Sequence, residues 1–547
     1  MEQGQVRLRR GLNFTGALVA VAAVWLSLTP TLLPRSALFQ GVVSGGAALI
    51  GYAVGVIIGS IVCWMIERTP PARLIRVCWL VLAVVGVLGT VAMLGWLASW
   101  QHQLRGLMGV EDLPVSAYPV MVLVGLVVFG LVLFLARAWW ALVVWLGRQI
   151  ARVVPPRVGV VIAAALVVAL TIGVLNGVVV RGAMNALNDT FSAVNDEHDA
   201  DSPAPAIAEQ SGGPGSLVSW DSLGRQGRRF VAGGPTTKEL SEFNHHPAVQ
   251  PIRAYVGLDS ADTPEAEAAI GVAELDRMGA FKRPVIAVAT TTGSGWLNER
   301  TASALEYVNN GNTAIVSMQY SYLPSWISFL VDQDRAQHAG RALFDAVWER
   351  AQQEPKQQRP KIVVFGESLG SFGGEAAFAS LQDMSARADG AVFVGPTSFN
   401  VLWNELTDRR ESDSPQWLPI YQQGKTARFV AQPANLDRPQ QPWTTPKVVY
   451  LQYASDPITW WTPDLAFRKP DWLREPRGYD VLGSVQWYPV ITFLQVSADM
   501  AVSTDVPAGH GHVFGPDLAN AWAAVLEPPG WSVADTERLR AVLGEHS

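Results

Sequence analysis

Five apolar stretches crowd the first 180 residues: Leu12 to Leu33, Val42 to Ile66, Val77 to Trp100, Tyr118 to Leu135 and Val158 to Val180. Each is near or above the roughly 18 to 20 residues that cross a bilayer as a helix, and lipid leaves a chain few other ways to satisfy its backbone. The expectation is an all-α transmembrane domain of about five helices over residues 1–182. Leu12 to Leu33 follows Arg7, Arg9 and Arg10 and mimics a signal peptide, but it is long, lacks a small-x-small cleavage site and is followed by more spans. Arginines gather there, at Arg68, Arg73 and Arg76, and at Arg137, Arg148, Arg152 and Arg157, while the alternate loops carry little beyond Arg35 and Arg105. That asymmetry predicts a cytoplasmic N-terminus in the plasma membrane, and five spans then put the C-terminal part outside. Arg137 to Val154 reads either as an interfacial helix, with its arginines on one face, or as an extension of the fourth span.

Composition averages two unlike halves, with 49% hydrophobic and only 16% charged residues. The net charge of −6 and the absence of a basic stripe in the C-terminal half argue against nucleic-acid binding. Cys63 and Cys78 fall at membrane-helix ends, so the C-terminal part has no thiol for a disulfide. Residues 183–234, rich in Asp, Ser, Pro and Gly, read as a flexible linker. Residues 235–547 suffice for one α/β core with an added cap. Phe399 to Thr445, with several tryptophans and prolines, is the cap candidate; a further insertion, Trp460 to Trp487, sets the expected acid and base far apart, and the aromatic residues of both suggest an apolar substrate wall.

Within that part, Gly366-Glu367-Ser368-Leu369-Gly370 follows the apolar run Ile362 to Phe365. Gly-x-Ser-x-Gly alone is weak, since roughly 0.3 copies arise by chance in such a composition. Here a short β-branched and aromatic stretch precedes it, and a small, Ala-rich helical pattern from Ser371 to Leu381 follows. Strand, tight turn and helix are what a nucleophile elbow needs to hold a serine hydroxyl in the open. Pro284 to Thr290, Thr313 to Gln319 and Lys447 to Tyr453 read as further strands, and Asn298 to Asn309 and Ala336 to Gln352 as helices. This alternation predicts a doubly wound, mostly parallel sheet.

A nucleophilic serine needs a base and an orienting acid, which in this kind of fold follow it in the order acid, then histidine. Asp456, in the turn after Lys447 to Tyr453, is the expected acid. Asp499 and Asp505 compete, but Val490 to Ala501 looks helical and places Asp499 on the surface. Gly509-His510-Gly511-His512 offers the base; the preceding glycine and following aromatic favour His512, with His510 as the alternative. A His-x-His pair also suits a metal, but no Asp, Glu or Cys set accompanies it, so neither a metal nor an organic cofactor is expected. The amide of Leu369 is the first expected oxyanion donor, and the Gly-rich exit Thr291 to Trp296 points to Thr292 and Gly293 for the second.

Trp220 to Arg228, Gln319 to Trp326, Gly366 to Gly370, Ser455 to Trp461 and Gly509 to His512, together with the multi-spanning N-terminus, resemble an actinobacterial family of membrane-anchored α/β-hydrolase-like proteins of largely uncharacterised function. The resemblance covers most of the chain and implies the hydrolase fold and the Ser368, Asp456 and histidine assignment, without a substrate. The combined expectation is a membrane-tethered extracytoplasmic serine hydrolase of acyl esters or thioesters, with envelope lipids favoured by the membrane's proximity. An acyltransferase using the same residues, or a non-catalytic binding or scaffolding module, are the alternatives. Transport is disfavoured by the near absence of charge inside the spans.

Overall fold

The computed structural model describes residues 11–66 and 71–545; Arg7, Arg9, Arg10 and Arg68 lie outside the described residues. Four described helices are long and apolar enough to cross a membrane. These are α2 (Ala37–Ile66), α3 (Ala72–Met108), α4 (Ala117–Ile150) and α5 (Pro156–Val174), preceded by the shorter α1 (Phe14–Ser27). The count differs from the expected five because α1 stops after 14 residues, about 21 Å of helix against a hydrocarbon core of about 30 Å. Pro30 is the local reason: it lacks an N–H and disfavours helical backbone at Thr29. Arg137 to Ile150 continues α4 without a break, so the separate interfacial helix is not seen.

Glycines let α2 pack closely on two sides. A Cβ at Gly55 would lie 2.3 Å from the Thr15 carbonyl oxygen of α1, and one at Gly41 would lie 2.7 Å from the Met121 carbonyl oxygen of α4. Small residues at such crossings replace the hydrophobic drive that lipid does not supply.

The chain divides into two compact units. The first joins the helices up to Asn185 with Trp461–Arg474 and Val481–Asp505, and the second comprises Ala186–Trp460, Glu475–Asp480 and Val506–Ser547. Much of the second insertion, Trp460 to Trp487, therefore folds with the membrane helices, whereas the cap candidate Phe399 to Thr445 belongs to the second unit. In the same unit the helix Ile491–Met500 closes the C-terminal end of α1. Gln495 Nε2 donates to the carbonyls of Ser27 (3.2 Å) and Thr29 (2.9 Å), groups a helix end leaves without partners. Asp499 accepts from Thr31 Oγ1 (2.6 Å), Leu32 N–H (3.3 Å) and Arg35 Nε (2.7 Å). The expected surface position of Asp499 is thus corrected: the segment is helical, but its carboxylate is fully buried against Arg35, itself 1% exposed.

In the second unit seven parallel strands run in the order β1-β3-β2-β4-β5-β7-β6. They are β1 (Ile252–Val256), β2 (Val285–Thr290), β3 (Thr313–Met318), β4 (Lys361–Glu367), β5 (Gly390–Val394), β6 (Ala427–Val430) and β7 (Lys447–Leu451). All but Lys361 at the start of β4 are buried, as strands covered on both faces must be. Pro264–Arg277 and Gln333–Ala351 pack against β1, β2 and β3, while Asp517–Leu526 packs against β5 and β7. The order reverses between β2 and β4, a switch point where crevices form at the carboxyl ends of strands.

Residues 183–234, expected as a flexible linker, carry the helices Arg181–Asp196 and Gly224–Ala232. Arg228 is buried and donates to the carbonyls of Asp221, Asn195 and Glu197. Ser211 donates to Glu274 at 2.9 Å and its N–H to the carbonyl of Arg253. Polar composition here encodes hydrogen-bonded order rather than a tether. The tryptophans read as a substrate wall are largely bonded into the body: Trp403, 2% exposed, donates to Gln452 at 2.7 Å, and Trp443 donates to the Thr426 carbonyl and stacks under Arg428.

Candidate active site

Ser368 sits where β4 turns into the helix Leu369–Glu375, with φ 55° and ψ −122°. A non-glycine residue with positive φ is strained, and here the turn leaves its side chain half-buried at the strand's carboxyl end. The motif glycines make the turn possible. A Cβ at Gly366 would come within 2.2 Å of the Gly370 carbonyl oxygen, and one at Gly370 within 2.3 Å of the Thr290 carbonyl oxygen. The turn is fixed by Ser368 N–H donating to Val394 (2.9 Å) and Ser371 Oγ donating to the Ser368 carbonyl (2.6 Å).

Asp456 follows β7 and is fully buried. It accepts from Ile458 N–H on Oδ1 (2.9 Å), and from Thr459 Oγ1 (3.3 Å) and His512 Nδ1 (2.7 Å) on Oδ2. With Nδ1–H donating to the carboxylate, Nε2 is the ring nitrogen left without a proton, and among the described residues it is buried with no hydrogen-bond partner. Gly395 makes room for the ring: a Cβ there would lie 2.6 Å from His512 Cε1. Burial lowers the imidazole's pKa, but the charge and hydrogen bond of Asp456, with the charge of Glu367, outweigh it and hold it above the ordinary value. His510 is placed otherwise; its Nδ1 lies 3.4 Å from Asp480, not Asp456.

Glu367, the residue before Ser368, escaped the sequence reading. Burial pushes its carboxyl up to about 7, opposed by His512 and by Asn298 Nδ2, which donates to Oε2 at 2.7 Å. The fold holds this proton up to about pH 7, whereas an unfolded chain releases it near 4.5. Stability is therefore fullest below the lower value and falls as pH rises through the upper one, by roughly 3 kcal/mol in all. Glu367→Gln keeps an acceptor for Asn298 and removes the ionisation. Its melting midpoint is expected to lose this fall between pH 5 and 8 and to exceed that of the wild type at pH 8; parallel midpoint curves for the two proteins would refute the assignment.

Leu369 opens its helix, so its N–H is one of those without an intrahelical partner. Thr292 and Gly293 lie at the carboxyl end of β2 as expected, but their amides are engaged: Thr292 N–H donates to Trp296 at 3.0 Å and Gly293 N–H to Tyr320 Oη at 2.8 Å. Among the described residues no cluster of three or more His, Cys, Asp or Glu could hold a metal ion.

A parallel doubly wound sheet, a strained serine after β4, an acid after β7 and a histidine in a late loop define an α/β-hydrolase. The Alpha/beta-hydrolase family profile matches residues 252–539, and the profile of that family's N-terminus matches residues 28–235. The chain belongs to this family, N-terminal helical region included. No curated protein and no solved structure matches it.

Proposed function

We propose that the protein is a membrane-tethered serine hydrolase in which Ser368 attacks an acyl carbonyl, His512 takes and returns the proton through Nε2, and Asp456 holds the imidazole. The observation that carries this reading is the 2.7 Å His512–Asp456 bond with Nε2 left unpartnered in the same unit as the strained Ser368. The chemistry balances as acyl transfer: the serine oxygen forms the acyl-enzyme, the departing alcohol or thiol takes the proton from His512, and water, deprotonated by the same nitrogen, releases the acid. The Leu369 amide is the oxyanion donor this reading assigns first. The substrates it favours are acyl esters or thioesters of the cell envelope.

The proposed location is extracytoplasmic. Arg73, Arg76, Arg148, Arg152 and Arg157 border the α2–α3 and α4–α5 connections, whereas the α1–α2 connection is the one that Ile491–Met500 closes. The positive-inside rule then puts the arginine-bordered connections in the cytoplasm and that closure outside. Labelling of the purified full-length protein with a fluorophosphonate tests the activity: one label per chain, absent in Ser368→Ala, is expected. A folded wild type that takes no label would overturn the hydrolase in favour of a binding module, and acyl-ester turnover with and without added alcohol acceptors separates hydrolysis from transfer.

A further inference from the structure

Behind the candidate triad lies a second polar cluster that its chemistry does not use. Asp480 is fully buried, and its Oδ2 accepts from Ser455 Oγ at 2.5 Å and faces His510 Nδ1 at 3.4 Å. Ser455 Oγ in turn accepts the N–H of Gly511 at 2.8 Å. Ser455 precedes Asp456 in the chain, and Gly511 precedes His512. Next to Asp480, Tyr479 donates through its hydroxyl to the Gly509 carbonyl at 3.0 Å, or to that of Ala431 at 3.1 Å. Gly509 and Gly511 both have positive φ, +97° and +53°, so the histidine loop has a backbone that needs external fixing. A buried carboxylate leaving Oδ1 unpartnered among the described residues is costly and needs a compensating role.

We infer that Asp480 is a positioning residue: by fixing the Ser455 hydroxyl so that it receives the Gly511 N–H, it latches the acid turn to the histidine loop and sets the Asp456–His512 geometry. The inference rests on the reading of Ser368, Asp456 and His512 as the triad, and assigns His510 to the latch rather than to proton transfer. A misplacement of about 1 Å at a reacting group costs on the order of 100-fold in rate.

The test uses the full-length protein and reads three things: the second-order rate of fluorophosphonate labelling, the melting midpoint, and the low-field proton resonance of the His512–Asp456 bond. Asp480→Ala and Ser455→Ala are each expected to slow labelling about 100-fold and to weaken or shift that resonance. The double variant is expected to be no slower than the slower single one, because both break the same latch. Asp480→Asn retains an acceptor for Ser455 and is expected to recover most of the rate. Wild-type labelling rates in both alanine variants, multiplicative effects in the double variant, or an unrecovered Asp480→Asn would overturn the latch. If Asp480→Ala does not fold, Ser455→Ala and Asp480→Asn carry the same comparison. A wild type that takes no label sinks the hydrolase reading alone, and the proton resonance in Ser455→Ala against wild type still decides the latch.

Discussion

Alanine at Ser368 is expected to abolish fluorophosphonate capture and to lower acyl-ester turnover on the order of 10⁴- to 10⁶-fold, with the melting midpoint little changed. Asp456→Asn is expected to cost about 10⁴-fold, for a reason visible in its contacts. Ile458 N–H donates to Oδ1, so an asparagine there keeps its carbonyl towards Ile458 and turns its NH2 towards His512 Nδ1. Nδ1 must then accept, the proton moves to Nε2, and the nitrogen to which the proposed mechanism assigns proton transfer can no longer take one. A steady-state comparison of kcat for wild type, Ser368→Ala, His512→Ala and Asp456→Asn checks this. Turnover in Ser368→Ala within tenfold of wild type would remove Ser368 from the chemistry.

Arg35→Ala carries the largest expected loss of stability, about 3 to 5 kcal/mol, because it leaves Asp499 buried without a cation. Burial already pushes the Asp499 carboxyl above its ordinary value despite Arg35, Thr31 and the Leu32 N–H, and removing Arg35 raises it further. A carboxyl raised by folding opposes the fold when ionised. The loss in Arg35→Ala is therefore smallest in acid, where the carboxyl is protonated folded or unfolded, and grows as pH rises through the folded value. Asp499→Leu combined with Arg35→Met, apolar groups of similar bulk, is expected to be less harmful than Arg35→Ala alone. Melting midpoints of the full-length variants at pH 5 and 8 check both statements; a pH-independent loss would show that Asp499 is not the group left stranded.

The strands β2, β3, β4 and β7 were legible to within two residues because their apolar, β-branched runs need no distant partner. β1, β5 and β6 were not; β5 is a short apolar run, and β1 and β6 each hide an arginine. Arg253 in β1 is 1% exposed and neutralised by Glu306 at 2.8 Å and Glu299 at 3.0 Å. Arg428 in β6 donates to the carbonyls of Gly424, Leu436 and Gln441. A periodicity reading counts an arginine against a buried strand, because its compensation comes from outside the strand: for Arg253 from carboxylates some 50 residues on, for Arg428 from backbone carbonyls. Asp499 misleads in the same way, its partner being 464 residues earlier. The candidate residues Ser368, Asp456 and His512 could be proposed from the sequence because chain order and strand ends constrain where such residues fall. Asp480 and Glu367 could not, for nothing local marks a carboxylate whose role lies in what it touches across the fold.

The division of the chain has a consequence for how the molecule is made. All seven strands end by Leu451, so a ribosome has produced the whole sheet before Ile491–Met500 emerges. Until then the carbonyl of Thr29 lacks the Gln495 amide that it accepts from in the finished protein, and Arg35 lacks its carboxylate. The bundle that begins first is completed almost last. Any nascent chain halted before Ile491 leaves a membrane part whose Arg35 has no carboxylate, and a separately expressed 235–547 fragment carries Asp499 without the arginine that neutralises it.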